Sequence, residues 1–480
     1  MSYPIRIVTR ITLELDGPCQ IGAGDEGLES DMPFVVDASG LPALPGSSLA
    51  GMLRARFKAL HGSEETERWF GAARASRDAV ASRVCLSWAH VHDKADRPVD
   101  GRLHPDDQPE FLQKVAVGEV RDHVRIDHRG VADDGGKYDR QVLYTGTRFT
   151  FDVEIIAPAE EKNEAEATRD RILGLLAGPT TRLGAGKHSG FGAFHVQRAQ
   201  SRCFDLSDAG DFDDYGQLSS ALDEDVALET LSLDGLDQGS ADLAQIEITL
   251  EPETFFLVGG GDVIEGSDEE SAKIAPVETN QISWYVGSGA SFHNSSVPYL
   301  PASSIKGALS HRVAFHANRL LKCYANDGGG DSSDSISLEE HVGENNEAVQ
   351  NLFGFARDEA VADEERSGVG RVIIDDVVIK NRGTKEMVHI STDPFTGGVR
   401  HGFLFTERAF QPGGPDIKFT IAVRQPDELG DTEKQALKWA IEDLTSGRLS
   451  IGSGAGRGNG RFQGDFEWPR ELEINEEASA

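Results

Sequence analysis

The sequence predicts an α+β fold: two tandem copies of one ferredoxin-like domain, each with long loop insertions. Three observations carry that reading. First, four landmarks recur in one order on either side of an acidic stretch. Leu41-Pro-Ala-Leu-Pro-Gly-Ser-Ser-Leu-Ala-Gly51 matches Val297-Pro-Tyr-Leu-Pro-Ala-Ser-Ser-Ile-Lys-Gly307, and Trp69-Phe-Gly-Ala72 matches Leu352-Phe-Gly-Phe355. Val124-Arg-Ile-Asp127 matches Val388-His-Ile-Ser-Thr-Asp393, and the glycine-rich run from Arg182 to Gly192 matches that from Arg448 to Gly460. Second, each copy reads in the order strand, helix, strands, helix, strand. Third, 480 residues suit two domains that each bury a core. The expected boundaries are 1–203 and 244–468 for the copies, 204–243 for a linker and 469–480 for an acidic tail.

The elements follow in turn. Ile5, Ile7, Ile11, Leu13 and Leu15 alternate as in a half-buried strand, and Ile246, Ile248 and Leu250 do so in the second copy. A glycine turn comes next, at 22–24 and 259–261. Ser47 or Ser48 then stands where a helix cap is expected, ahead of Leu49, Met52, Leu53, Phe57 and Leu60 at helical spacing. Ser303 or Ser304 does the same ahead of Ile305, Leu309 and Val313. Strands are expected over 84–91 and 372–379, and again over 149–156 and 417–423. Late helices are expected over 165–177 and 432–444, and a glycine-rich loop with a closing strand ends each copy.

A net charge of −34 argues at first against nucleic acid, because phosphate contacts need a surplus of Lys and Arg. Its distribution removes the objection. Twelve acidic residues and no Lys or Arg lie between 204 and 242, which therefore reads as a solvated linker with one short helix. Further acidic insertions fall at 262–270, 327–347 and 358–365. The glycine loops, 182–194 and 448–462, instead hold five Lys or Arg and no acid. Such a local reversal suits an anionic ligand, and glycines let backbone N–H groups approach a phosphate. The candidate contacts are Arg182, Gly184, Gly186 and Lys187 in the first loop, and Arg448, Gly454, Gly456, Arg457 and Arg461 in the second.

Other classes are excluded more simply. No run approaches ~18 apolar residues, so no membrane partner is expected, and Met1–Arg10 lacks the pattern of a signal peptide. Cys19, Cys85, Cys203 and Cys323 lie far apart, which suits a reducing cytoplasm rather than a disulfide framework or zinc site. Gly22–Gly27 fits G-x-G-x-x-G, but it is acidic and Pro33 follows closely. Gly186-Lys187 is followed by His188 rather than Ser or Thr, so it is no P-loop. His90 and His92 have no third ligand nearby and are read as structural.

The two signature segments, the glycine loops, and Asp393-Pro-Phe-Thr-Gly-Gly398 with Phe403-Leu-Phe405 together resemble the RAMP superfamily. They look most like the backbone subunits of type III CRISPR effector complexes, over most of the chain. That resemblance implies RRM-like domains lining a guide RNA that pairs with target RNA. It implies an Asp in a loop of each active subunit that supports metal-dependent cutting of the target. The implied partners are a large polymerase-like subunit, other RAMP proteins and a small subunit, with no DNA contact.

Asp31, in Glu29-Ser-Asp-Met-Pro33, is where the resemblance implies the catalytic Asp. It is also the implied ligand of a divalent ion, Mg or Mn. The second copy departs from the pattern. Gly259 and Ser303 are 44 positions apart against 25 between Gly22 and Ser47, and 271–301 contains no Asp. That copy reads as inactive, or as using Glu278, Asp262 or Asp268. The family's Ser-Ser-Leu-Lys-Gly-x-x-Arg pattern implies guide contacts at Ser47, Ser48 and Arg54, with Arg56 close by. In the second copy it implies Ser303, Ser304 and Lys306, with Arg312 two places past the expected cation. His123, Arg125 and His128, ahead of a turn expected at Asp133–Gly136, read as part of an RNA-facing hairpin. The leading expectation is a guide-holding subunit that cuts paired target RNA. The alternatives are a non-catalytic RNA-binding subunit and a guide-precursor-processing endoribonuclease, which would need a His/Tyr/Lys cluster that the sequence does not place.

Overall fold

The structure is a computed structural model. It describes residues 3–24, 30–72, 80–223, 228–239, 242–259, 272–293, 295–323, 341–355 and 368–474. Asp262, Asp268 and most of the acidic insertions lie outside the described residues.

The first domain begins with β1 (Ile5–Leu15) and α1 (Gly46–Phe70), which is broken at Gly62. Then come β2 (Val84–Leu86), β3 (Ala89–Val91), the hairpin β4 (Glu119–Ile126) and β5 (Ala132–Val142), β6 (Arg148–Ala157), α2 (Lys162–Ala177) and β7 (Phe194–Asp205). The core of the sheet runs β2/β3–β6–β1–β7, with β1 antiparallel to both neighbours. Leu49, Leu53 and Phe57 of α1 and Ile172 and Leu176 of α2 share one apolar core with Ile7, Ile11 and Leu13 of β1. Burying each such side chain contributes about 1.5–3 kcal/mol, which is why the helical and strand periodicities were legible.

The stretch after β7 is not a free linker. It forms α3 (Ala209–Gly216) and β8 (Glu229–Thr230), and β8 pairs with β7. Leu222 is buried, and Leu231, Leu233 and Leu236 pack against the first core. Arg10 Nη1 donates to Leu222 O at 3.3 Å. These four leucines among the acids give this segment an apolar side that net charge conceals.

The second domain repeats the plan. It comprises β9 (Leu243–Pro252), β10 (Ala272–Ile274), β11 (Ile282–Tyr285), β12 (Gly289–Phe292), α4 (Ala302–Leu320) and α5 (Glu347–Phe353). It continues with β13 (Val372–Ile374), β14 (Val377–Val378), the hairpin β15 (Thr384–Thr392) and β16 (Val399–Phe410), β17 (Ile417–Arg424), α6 (Asp431–Thr445) and β18 (Phe462–Glu467). Its sheet runs β13–β17–β9–β18, the same core order as the first domain.

Three local expectations are corrected. The signature serines do not cap their helices: Pro45 and Pro301 occupy the cap positions, and neither helix has a side-chain cap from the serines, which fall in the first turn. Ala302 N–H instead donates to Asp376 Oδ1 at 2.8 Å. The strands expected over 84–91 and 372–379 are each split in two. The hairpin turn lies at His128–Gly130 rather than Asp133–Gly136, because Asp127 Oδ1 accepts from the N–H groups of Arg129 and Val131 at 2.9 and 3.0 Å and closes the chain there.

The domains join through buried polar contacts. Arg121 on β4 pairs with Asp376 between β13 and β14, donates to Thr279 Oγ1 at 3.2 Å, and lies 4.4 Å from the centroid of the Tyr299 ring. Burial raises the Asp376 carboxyl above its usual range, with Arg121 opposing. Arg182 pairs with Asp375 at 2.8 Å, and His188 Nδ1 lies 3.2 Å from Val372 O. The long insertion of the second copy supplies a strap: Trp284 Nε1 donates to Gly146 O at 2.7 Å, and Arg148 lies 4.2 Å from the centroid of the Trp284 ring.

Candidate nucleic-acid interface

The two glycine loops have one backbone frame. Leu183 N–H donates to Gly192 O at 2.9 Å and Ile451 N–H to Gly460 O at 3.0 Å. Ala185 N–H donates to Gln20 O at 2.8 Å and Ser453 N–H to Leu257 O at 2.7 Å. Gly184 and Gly452 are therefore equivalent. Both have positive φ, +71° and +93°, and a Cβ there would stand 1.9 Å from Gln20 O or 2.4 Å from Leu257 O. Past these points the backbone turns. The N–H groups of Gly186, Lys187 and His188, and of the equivalent Gly454, Ala455 and Gly456, make no hydrogen bond among the described residues. Consecutive unpaired N–H groups form a concavity for an anion.

Each loop lies beside the root of its hairpin. His123 stacks on Tyr138, with ring centroids 5.1 Å apart, and His389 on Phe405 at 4.9 Å. The strand registers make these pairs equivalent. Burial, aided by Arg140 and Arg121, pushes His123 down to about 4, so it is neutral at pH 7. Arg140 and Phe191 pack against Gly186. In the second domain Arg457 pairs with Glu407 at 2.6 Å, and His389 Nε2 stands 3.0 Å from Glu407 Oε2.

Asp31 is exposed at the edge of the first hairpin. Its N–H donates to Asp139 Oδ1 at 2.9 Å, and its Oδ2 accepts from Asp139 N–H at 3.0 Å. Its Oδ1 has no partner among the described residues. Gln20 Nε2 donates to Met32 O at 2.6 Å, so one residue ties this segment to the first glycine loop. In the second domain β10 pairs with β16, bringing Lys273 into register with Thr406. Cys19 bridges Leu143 as Phe256 bridges Phe410, and Val35 N–H donates to Ile21 O as Val277 N–H does to Val258 O. These registers put Lys273 at the position of Asp31 and Thr406 at that of Asp139. Glu278 is engaged with Ser296 and, at 3.4 Å, with Arg408.

A family model described as the RAMP superfamily matches residues 12–195 and 283–463. The chain belongs to the RAMP superfamily. One matched region falls in each domain, and the family is associated with CRISPR RNA binding. Comparison with curated proteins gave no match. No described helix is long and apolar enough to cross a membrane.

The cations expected on the RAMP signature helices are largely engaged within the protein. Arg54 donates to Phe70 O at 3.0 Å and to Gly71 O, closing the end of its own helix. Arg56 donates to Thr180 Oγ1 at 2.7 Å. Arg312 and, at 2.6 Å, Arg448 both pair with the buried Asp443. Arg182 spans the domain junction. Lys187 and Lys306 are half-buried, and burial pulls both ammonium groups below their usual value. Ser48 and Ser303 are half-buried in their first turns, as is Ser304, while Ser47 is exposed. Arg461 is exposed and has no ion-pair partner among the described residues. Asp139, Gln20, Asp376 and Arg121 escaped the sequence reading, since each is a single polar residue whose partner is far away in the chain.

A divalent ion is tested by the donors present. Among the described residues no group of three or more His, Cys, Asp or Glu converges. The free oxygen of Asp31 offers a single protein ligand. That fits Mg, which keeps several waters and is bound by one or two carboxylates together with substrate phosphates.

Proposed function

We propose that this chain is a tandem backbone subunit of a type III CRISPR interference complex, with ferredoxin-like domains that hold guide RNA and a first domain that cuts the paired target RNA. The shared core strand order and the β-α-β-β-α-β succession support the ferredoxin-like reading. The repeated glycine loop carries the binding half of the proposal. Three unpaired N–H groups at equivalent positions in both domains suit two phosphates of one RNA backbone. Arg461 and the half-buried Lys187 and Lys306 add positive charge, so affinity should fall as salt rises.

Asp31 carries the cutting half. Its unengaged Oδ1 would orient the ribose 2′-OH, or would hold a Mg ion, which when bound would supply charge stabilisation at the scissile phosphate. Strand β5 holds the carboxylate at the hairpin edge, and Gln20 fixes it relative to the glycine loop. The second domain, with Lys273 and Thr406 at these positions, binds RNA without cutting. The test is a complex reconstituted with guide and paired target RNA. Asp31→Ala should lower cutting at the first domain's position on the order of 10³-fold while guide binding persists, and a chelator should mimic it. Cutting by that variant at the wild-type rate would leave a structural subunit. Cutting of precursor RNA in chelator would favour a processing enzyme.

A further inference from the structure

The contacts around Asp31 extend this reading and rest on it. Asp139 Oδ1 accepts two donors from the neighbouring segment: Ser30 Oγ–H at 2.6 Å and Asp31 N–H at 2.9 Å. Asp139 N–H in turn donates to Asp31 Oδ2 at 3.0 Å. Ser30 Oγ also accepts from Met32 N–H at 3.2 Å, and Met32 O accepts from Gln141 N–H at 3.1 Å. Residues 30–32 are thus fastened to β5 from both sides.

We propose that Asp139 is a positioning residue: its carboxylate fastens Ser30 and the Asp31 backbone to β5, so that its own backbone N–H meets Asp31 Oδ2 and Oδ1 is presented to the target RNA. The physical argument has three parts. Asp31 is exposed, and an exposed carboxylate with no fixed partner samples several rotamers. Hydrogen bonds to an ionised acceptor are roughly twice as strong as neutral ones, so a carboxylate grips the loop better than a hydroxyl could. Two carboxylates side by side repel, so the pairing stands on the backbone and hydroxyl donors between them. The second domain supplies an independent observation. Where Asp31 is replaced by Lys273, Asp139 is replaced by Thr406, so the acid and its holder are absent together.

The experiment uses the reconstituted complex with Mg and a target RNA complementary to the guide, and hydrogen exchange on the full chain. Asp139→Ala should slow single-turnover cutting on the order of 10²-fold, the scale of a displaced reacting group. Target affinity should be unchanged, and exchange at residues 30–32 should accelerate. Asp139→Asn keeps an oxygen acceptor and should recover most of the rate and the protection. Wild-type cutting by Asp139→Ala, with Asp31→Ala inactive, overturns the proposal. Equal loss in Asp139→Asn and Asp139→Ala also overturns it, because the charge itself would then serve the chemistry. If Asp31→Ala cuts normally, the underlying reading fails instead, and exchange alone reports whether Asp139 fastens the loop.

Discussion

In the first domain Asp31 and Asp139 face each other at the hairpin edge; in the second, Lys273 and Thr406 hold those positions. Around this difference the two domains agree closely. The glycine loops close with the same hydrogen bonds, and each hairpin root stacks a histidine on an aromatic ring. Gly71 and Gly354 end their helices with φ of 74° and 79°. A second set of differences lies at the domain junction. Arg121 corresponds to Met387 and Asp376 to Trp88, by the registers of the hairpins and of the strands beside them. The glycine loops and hairpin roots are thus held in common, while these divergent positions lie beside Asp31 or at the joint.

The junction gives the largest expected effect on stability. Asp376 is the buried partner of Arg121 and also caps α4. Asp376→Ala removes one of the two carboxylates paired with the buried Arg121 guanidinium, leaving Glu119 at 2.9 Å, and should cost about 3 kcal/mol. Trp88, at the same place in the first domain, is 45% exposed, and Trp88→Ala should change stability by roughly 0.5 kcal/mol or less. Urea unfolding of the full chain measures both. Equal losses would mean that the junction is not what separates the two positions.

The next test sharpens the likeness. Gly184→Ala and Gly452→Ala each place a Cβ against a carbonyl oxygen at positive φ. Each should destabilise its domain by about 1–3 kcal/mol, and the two losses should be similar. Domain-resolved hydrogen exchange would report them separately. A loss in one domain only would break the equivalence of the loops.

The sequence showed the frame because periodic apolar residues and glycine spacings are local signals. Helices expected over 165–177 and 432–444 occupy Lys162–Ala177 and Asp431–Thr445. The split at Ser87–Trp88 is not visible in the sequence because the flanking residues are mostly apolar. The leucines at 222, 231, 233 and 236 were masked by the acids around them, so their segment looked solvated although it covers the first domain. Asp139 was illegible for a different reason: it is one acid on an exposed strand, and its partner lies 108 residues earlier. Arg54, Arg312 and Arg448 read as free cations because nothing local reveals that a helix end or Asp443 already engages them.

The smallest effect is expected from pH at His188, a loop residue that the second domain replaces with Gly456. Burial against the second domain, with Arg424, Lys306 and Lys187 nearby, pushes His188 from 6.5 down to about 4. Its ring lies against Val372 O at 3.2 Å, a contact that a neutral Nδ1–H donor satisfies. Once the domains part, the ring regains water and its ordinary affinity for a proton. Protons therefore favour the parted state. The contribution of His188 to the joint is complete above 6.5 and is lost as pH falls through about 4. His188→Asn keeps a donor for Val372 O but cannot titrate. Hydrogen exchange across 182–192 between pH 7 and 5, corrected for intrinsic exchange, should show the joint loosening in the wild type and less so in the variant. The same slope in both proteins would assign the pH response to another group and remove His188 from the differences between the two loops.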